Sequence, residues 1–345
     1  MQVKTAILTA QQTIEMGMTE LAAPKADEVT IQPEYVGVCG SDVHFFEFGC
    51  IGACKVEYPF VLGHECAGVV TAVGSDVETL HVGDRVTIEP GIPCGRCKFC
   101  REGRYNLCRQ VKFLSTPPYD GVLRERFNHP ADLTYRLPEN VSTKDGALME
   151  PLAVGAYACK RGGVHPGSRV AILGGGCIGL MTLLACKAAG AAQIVVSDLF
   201  DLRLDKAKQL GATGVFNPKT DGDTAALREK FTAGAGFDVV FETAGNRVTA
   251  AQTSELVGRG GVIVVVGNVL GEVAFSFRNL YLNEAEVRAV FRYRNMFPEI
   301  IQQVAAGRID VSGVASDVFS FDDTQTAFER AMNNKAEVVK AVIKL

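Results

Sequence analysis

The sequence predicts a two-part α/β chain, a doubly wound parallel sheet preceded by an irregular β-rich region. Three observations carry this. From about residue 166, apolar strand runs alternate with helical stretches, the pattern of a parallel sheet. Before about residue 150 the chain is dense in Gly, Pro and Cys, with short apolar runs cut by turn signals. Its 345 residues, at ~150 per domain, correspond to roughly two domains.

In the first part, Cys66–Val73 and Arg85–Ile88 read as strands, bounded by turns at Gly63, Gly74-Ser75-Asp76 and Val82-Gly83-Asp84. In the second, Ser168–Leu173 is a strand leading through a glycine turn into a helix that runs to about Ala189. Gln193–Ser197 follows as a strand, then a helix over Leu202–Leu210 with Leu202, Ala207 and Leu210 on one side. Phe237–Phe241 and Gly261–Val266 are two more strands. A helix near Phe297–Ala306 and a short β-rich tail close the chain, and spacing does not say which part the tail joins.

Composition removes several function classes. Hydrophobic residues make up 47% and charged residues 21%, enough to bury a large core and too apolar for disorder. Lys+Arg 35 against Asp+Glu 39 gives a net charge of −4, which argues against nucleic acid or an anionic membrane as main partner. Val170–Cys186, the longest uncharged stretch, is short for a membrane span and holds three consecutive glycines. Met1–Ala10 has no apolar core behind a basic start, so no signal peptide is expected and the location expected is cytoplasmic. Eleven cysteines then read as metal ligands or small buried residues rather than disulfides.

Gly174-Gly175-Gly176-Cys177-Ile178-Gly179 fits G-x-G-x-x-G, and its context is what gives it weight. It follows a strand, opens a helix, and precedes Asp198, which ends the next strand 19 residues beyond Gly179. Gly174, Gly176 and Gly179 permit a tight turn against a pyrophosphate at the helix amino end, where free N–H groups favour anions. Asp198 would accept both ribose hydroxyls and repel a 2′-phosphate, favouring NAD over NADP. Arg203 is placed to stack over adenine or, as the alternative, to bind that phosphate.

Cys94-x2-Cys97-x2-Cys100-x7-Cys108 puts four thiols within fifteen residues, enough for a closed tetrahedral zinc site. An iron–sulfur cluster is the rival, but the ferredoxin run wants a gap of about three before its fourth Cys and a Pro after it; here Arg109 follows. A closed four-thiolate site is structural. A catalytic metal needs three ligands and an open position, and the candidates Cys39, His64, Glu65 and Glu150 are too scattered for spacing to join them.

At these residues the chain resembles the zinc-dependent medium-chain alcohol dehydrogenases, and within them the sorbitol (polyol) dehydrogenase branch. The resemblance runs through Gly37–His44, Val61–Gly68, Gly83–Pro90, the four-cysteine lobe, Thr116-Pro117-Pro118 with Asp120-Gly121, Ala147–Val154, the glycine turn and Val290-Phe291-Arg292-Tyr293. It implies a GroES-like catalytic domain from residues 1–151 and 295–345, with a structural zinc lobe at about 89–112, and an inserted Rossmann NAD-binding domain at 152–294. It implies a catalytic zinc held by Cys39, His64 and Glu65, with Glu150 beside the metal directly or through water, and Asp42 orienting His64. Val266, Gly267, Ile178 and Phe291 join the cofactor contacts.

The implied chemistry is hydride transfer from a secondary hydroxyl of a polyol to NAD, giving a ketose, with zinc as Lewis acid. The proton route runs from Ser41 through the cofactor ribose to His44, with a water chain through Glu150 as the competitor. Phe45, Phe113, Glu150, Arg292 and Tyr293 match substrate-pocket positions. Phe45 stands where the branch often has Tyr; the missing hydroxyl makes a shorter polyol such as xylitol a candidate beside sorbitol. A phosphorylated polyol, a sugar acid or a threonine-like alcohol is the alternative substrate, and a homotetramer, or less often a dimer, the expected assembly. Cys50, Cys54, Cys66, Cys159, Cys177 and Cys186 read as packing residues, and His81, His129 and His165 as surface residues.

Overall fold

The computed structural model describes all 345 residues. They form two compact units, one of Met1–Glu150, Phe297–Ala306 and Ala315–Leu345, the other of Pro151–Met296 and Gly307–Val314. The second piece of the second unit departs from the expected division, which kept 295–345 together. Its Ile309, Val311 and Val314 are buried, so the segment cannot be left as a surface connection.

The first unit is built on a seven-stranded sheet. Six strands lie side by side in the order Thr134–Arg136, Arg85–Ile88, Glu65–Val73, Glu28–Gly37, Ala341–Lys344, Asp317–Ser320, and Phe127–Pro130 pairs with the far half of Glu28–Gly37. The tail therefore joins the first unit as a strand against Tyr35–Gly37. Val29, Ile31 and Val36 of the central strand, with Leu62, Val70, Ile88, Phe46 and Phe328, make up much of the core.

His129 corrects the reading of a surface histidine. Period-two alternation along Phe127–Pro130 turns Phe127 and His129 inward, and His129 is fully buried with Nε2 3.1 Å from the Glu89 carbonyl oxygen. Burial pushes its pKa down to about 4. Because the unfolded chain takes up this proton near pH 6.5 and the folded chain does not, stability falls as pH drops from ~6.5 to ~4, by roughly 3 kcal/mol. Denaturant titrations across that range should show the loss, and His129→Gln should flatten it. An equal acid loss in His129→Gln would place its origin elsewhere.

The second unit is a six-stranded parallel sheet in the order Gly214–Phe216, Gln193–Ser197, Arg169–Leu173, Phe237–Glu242, Val257–Val265, Glu286–Ala289. This is the doubly wound order, with its switch point beside Arg169–Leu173. Four of the six strands match the sequence reading; Gly214–Phe216 and Glu286–Ala289 are edge strands that it did not find. In the helix Asp201–Leu210 the buried positions are Leu204 and Ala207, whereas Leu202 is exposed. No helix of the chain is long and apolar enough to cross a membrane.

Candidate active site and metal centres

Two neighbouring strands of the first unit bring three of the four scattered ligand candidates together. Gly37, at the end of the central strand, lies opposite Glu65 on one neighbour and Val342 on the other. Cys39 follows two residues on, just before the helix Gly40–Phe48, and His64 immediately precedes Glu65. As a result the Cys39 sulfur, a His64 ring nitrogen and a Glu65 carboxylate oxygen all lie within 4.8 Å of one another. One thiol, one imidazole and one carboxylate form a donor set suited to zinc with an open position.

The geometry around His64 supports that use. Asp42, fully buried, places Oδ1 3.2 Å from His64 Nδ1 and accepts a 2.5 Å hydrogen bond from Ser115 Oγ. Ser115 Oγ in turn accepts from the Gly63 N–H at 2.9 Å. A carboxylate that receives Nδ1–H turns the Nε2 lone pair toward a metal. Burial opposes a charge on His64, yet Asp42 and Cys39 beside it hold its pKa well above the ordinary histidine value. Phe113, also buried, sets its ring edge against His64 at 5.4 Å.

Other predicted residues take varied places. Ser41 Oγ donates to Cys39 Sγ at 3.3 Å, so it sits at the ligand cluster. His44 is exposed and lies against Phe48. Phe45 is buried in the apolar core of the first unit. Glu150 is buried in the first turn of the helix Met149–Gly162 and is not one of the three clustered ligands. Arg292, over the Phe291 ring, and the buried Tyr293 belong to the second unit.

Lys340 was missed by the sequence reading. It is 3% exposed, ion-paired with Glu65, and donates to the Val38 carbonyl at 3.0 Å. Its signal is a lone lysine within the apolar run Val338-Val339-Lys340-Ala341-Val342-Ile343.

The four-cysteine lobe forms a second donor cluster, with the sulfurs of Cys94, Cys97, Cys100 and Cys108 all within 4.8 Å of one another. Cys97 and Cys100 are 3.4 Å apart and Cys94 and Cys100 3.9 Å. Zinc–sulfur bonds of about 2.3 Å make a tetrahedron with edges of about 3.8 Å, so the spacing fits. Backbone N–H groups of Arg96 and Cys97 bring the Cys94 thiol down to about 6, while burial pushes Cys100 up to about 12.

In the second unit the glycine turn joins Arg169–Leu173 to the helix Cys177–Ala188. Gly174 has φ +110°, and a Cβ there would lie 2.8 Å from the Ala244 nitrogen. A Cβ on Gly179 would lie 1.8 Å from the Gly174 carbonyl oxygen, whereas Gly176 faces open space except for Arg203 at 3.9 Å. Asp198 Oδ2 accepts from the Gly175 N–H at 2.7 Å and Oδ1 from the Phe200 N–H at 3.0 Å. Arg203 lies over the Phe200 ring and 3.5 Å from Asp198. Glu242, buried and held above the usual carboxylate range by that burial, ties the loops beyond two strands. Its carboxylate accepts from Ala244, Gly245 and Thr249, and its carbonyl from Val266 and Gly267.

Known proteins resemble this chain over nearly its whole length. The alcohol dehydrogenase GroES-like domain family matches residues 25–139, and the zinc-binding dehydrogenase family residues 177–306. An uncharacterized zinc-type alcohol dehydrogenase-like protein of Escherichia coli is 48% identical over 99% of this chain and 98% of its own. Sorbitol dehydrogenase of Bacillus subtilis is 43% identical over 92% of this chain and 90% of its own. A solved E. coli oxidoreductase/dehydrogenase of unknown specificity superposes with a TM-score of 0.96 at 47% identity, covering 100% of this chain and 99% of that one. The chain therefore belongs to the zinc-type medium-chain alcohol dehydrogenases, on the branch that includes sorbitol dehydrogenase.

Proposed function

We propose that this protein oxidises a secondary hydroxyl of a polyol such as sorbitol or xylitol to the ketose, with NAD as hydride acceptor. The observation that carries the reading is the convergence of Cys39, His64 and Glu65, with Asp42 fixing the imidazole. The likeness to sorbitol dehydrogenase supports the substrate class. Zinc held by these three residues would supply a Lewis acid for the substrate hydroxyl. Ser41 Oγ, already at the cluster, takes up the hydroxyl's proton as it passes its own through the cofactor ribose to His44, whose exposed ring releases it to water. Arg292 and Tyr293 hold the remaining hydroxyls, and Phe113 walls the pocket. Asp198 binds the adenine ribose and selects NAD, with Arg203 packed on Phe200 rather than extended as a phosphate ligand. The four thiols of the lobe hold a structural zinc.

The test is NADH formation by purified protein across polyols, phosphorylated polyols, sugar acids, threonine and simple alcohols, with a chelated control. Metal-dependent turnover on sorbitol, xylitol or a close relative is expected. Turnover confined to a phosphorylated or acidic compound would overturn the pocket reading through Arg292 and Tyr293.

The assembly proposed is a homotetramer that uses the open edge of the nucleotide-domain sheet. The edge strand Glu286–Ala289 exposes Val287 (49%), and the preceding helix Phe277–Asn283 exposes Phe277 (78%) and Tyr281 (83%). An apolar, unpaired edge is what a second copy would cover. Val287→Lys should shift the mass measured by light scattering to a smaller species. An unchanged mass would exclude this edge from the assembly.

A further inference from the structure

We propose that Lys340 is a positioning residue for the metal centre, sharing the Glu65 carboxylate with the metal and so weakening the bond that Glu65 makes to it. The inference rests on the reading of Glu65 as a ligand. Lys340 and Glu65 are 3% and 1% exposed and form an ion pair within the first unit. They meet across Gly37, the one residue of the central strand that leaves them room. A Cβ at Gly37 would lie 2.1 Å from Glu65 Oε2 and 3.1 Å from Lys340 Cε. The second Lys340 contact, to the carbonyl of Val38, fixes the ammonium beside the residue that precedes Cys39.

Stability alone does not account for the pair, since a buried ion pair is often no better than apolar residues of the same volume. Charge at the centre does. A Cys39 thiolate and the Glu65 carboxylate neutralise a dication, with His64 neutral, and Lys340 then balances the Asp42 carboxylate buried behind His64. A cation touching the ligand carboxylate draws electron density from the metal bond, so the metal is held less tightly and is more electrophilic. Without metal, the same ammonium spares the protein a bare buried carboxylate.

This predicts an outcome opposite to that of a merely structural contact. In Lys340→Met, the zinc that is absent from Cys39→Ala protein should pass to a chromogenic chelator about tenfold more slowly, a typical size for a residue behind a ligand. The gap between the melting temperatures of loaded and stripped protein should widen, because the stripped form keeps an uncompensated Glu65. The kcat should fall about tenfold with KM for NAD unchanged. Lys340→Arg should restore the wild-type rate of zinc loss. Lys340→Gln keeps a donor for Val38 and reads the same quantity if the Met variant does not fold. Equal or faster zinc loss from the Met or Gln variant would overturn the inference. Glu65→Gln separates the two readings: if it leaves zinc affinity unchanged, Glu65 is not a ligand and the underlying assignment fails, whereas weakened zinc in Glu65→Gln without tightening in Lys340→Met sinks the Lys340 inference alone.

Discussion

Cys39→Ala should remove metal-dependent turnover while leaving the nucleotide site able to bind NADH. The expected loss in kcat/KM is roughly a thousandfold or more, because Lewis-acid stabilisation worth several kcal/mol disappears and each ~1.4 kcal/mol is tenfold in rate. Cys39 supplies the only thiol of its cluster, and with it the charge that binds a dication most strongly to a site otherwise made of one imidazole and one carboxylate. The side chain is half-buried and sits in the junction between a strand and the helix Gly40–Phe48, so its removal opens no large cavity. Fold and cofactor binding are separable readouts. Asp198, Gly175 and the Glu242 loops belong to the other unit, so NADH affinity should stay within about twofold, a few tenths of a kcal/mol. Zinc content should drop by one ion per chain. Metal-dependent turnover within tenfold of wild type would show that the three-residue cluster is not the catalytic metal site.

How far the sequence could be read follows from where each feature stores its information. Arg169–Leu173 and Gln193–Ser197 were legible because a strand buried on both faces shows as an unbroken apolar run. Gly214–Phe216 and Glu286–Ala289 were not, because edge strands are short and the charged pair Glu286 and Arg288 breaks the apolar run of the second. Val257–Val265 begins earlier than Gly261 because Val257 already pairs with Phe237, while Gly258 and Gly260 resemble a turn and lie in the irregularity before pairing resumes at Val262. The active site shows the same limit. Cys39 and Glu65 become neighbours through the register Gly37↔Glu65, and no local spacing encodes a pairing between distant strands. Resemblance to a family, not spacing, joined them. Lys340 and His129 did carry local signals, a charge in an apolar run and an inward position in an alternating strand. The missing knowledge was which strand each run would pair with.

The four-cysteine lobe should open when its metal is taken away, and with a larger structural effect than any single ligand change at the catalytic cluster. Between Cys94 and Cys108 its elements are one four-residue helix, Lys98–Arg101, and one turn of 3-10 helix, Tyr105–Leu107. Neither is long enough to hold itself in water. Between Cys94 and Cys108 only Asn106 and Cys108 are buried, so no apolar core replaces the metal. Structural zinc contributes ~10–16 kcal/mol in small zinc domains; if only ~3 kcal/mol of that holds this lobe closed, removing it raises the open population ~100-fold. Lys98 and Arg104 are already exposed at the surface, so opening presents them to trypsin in extended form. Stripped wild-type protein and metal-loaded Cys100→Ala should both be cut at Lys98, Arg101 or Arg104 at least tenfold faster than loaded wild type, as mass spectrometry of early digests would show. The rest of the first unit should keep its fold, because its sheet and core lie outside the lobe. Tyr135 should also keep its 3.2 Å hydrogen bond to Glu89 at the lobe's foot. Cleavage in the lobe at an unchanged rate would mean that the thiols close the loop without metal, and that the cluster is not a structural metal centre.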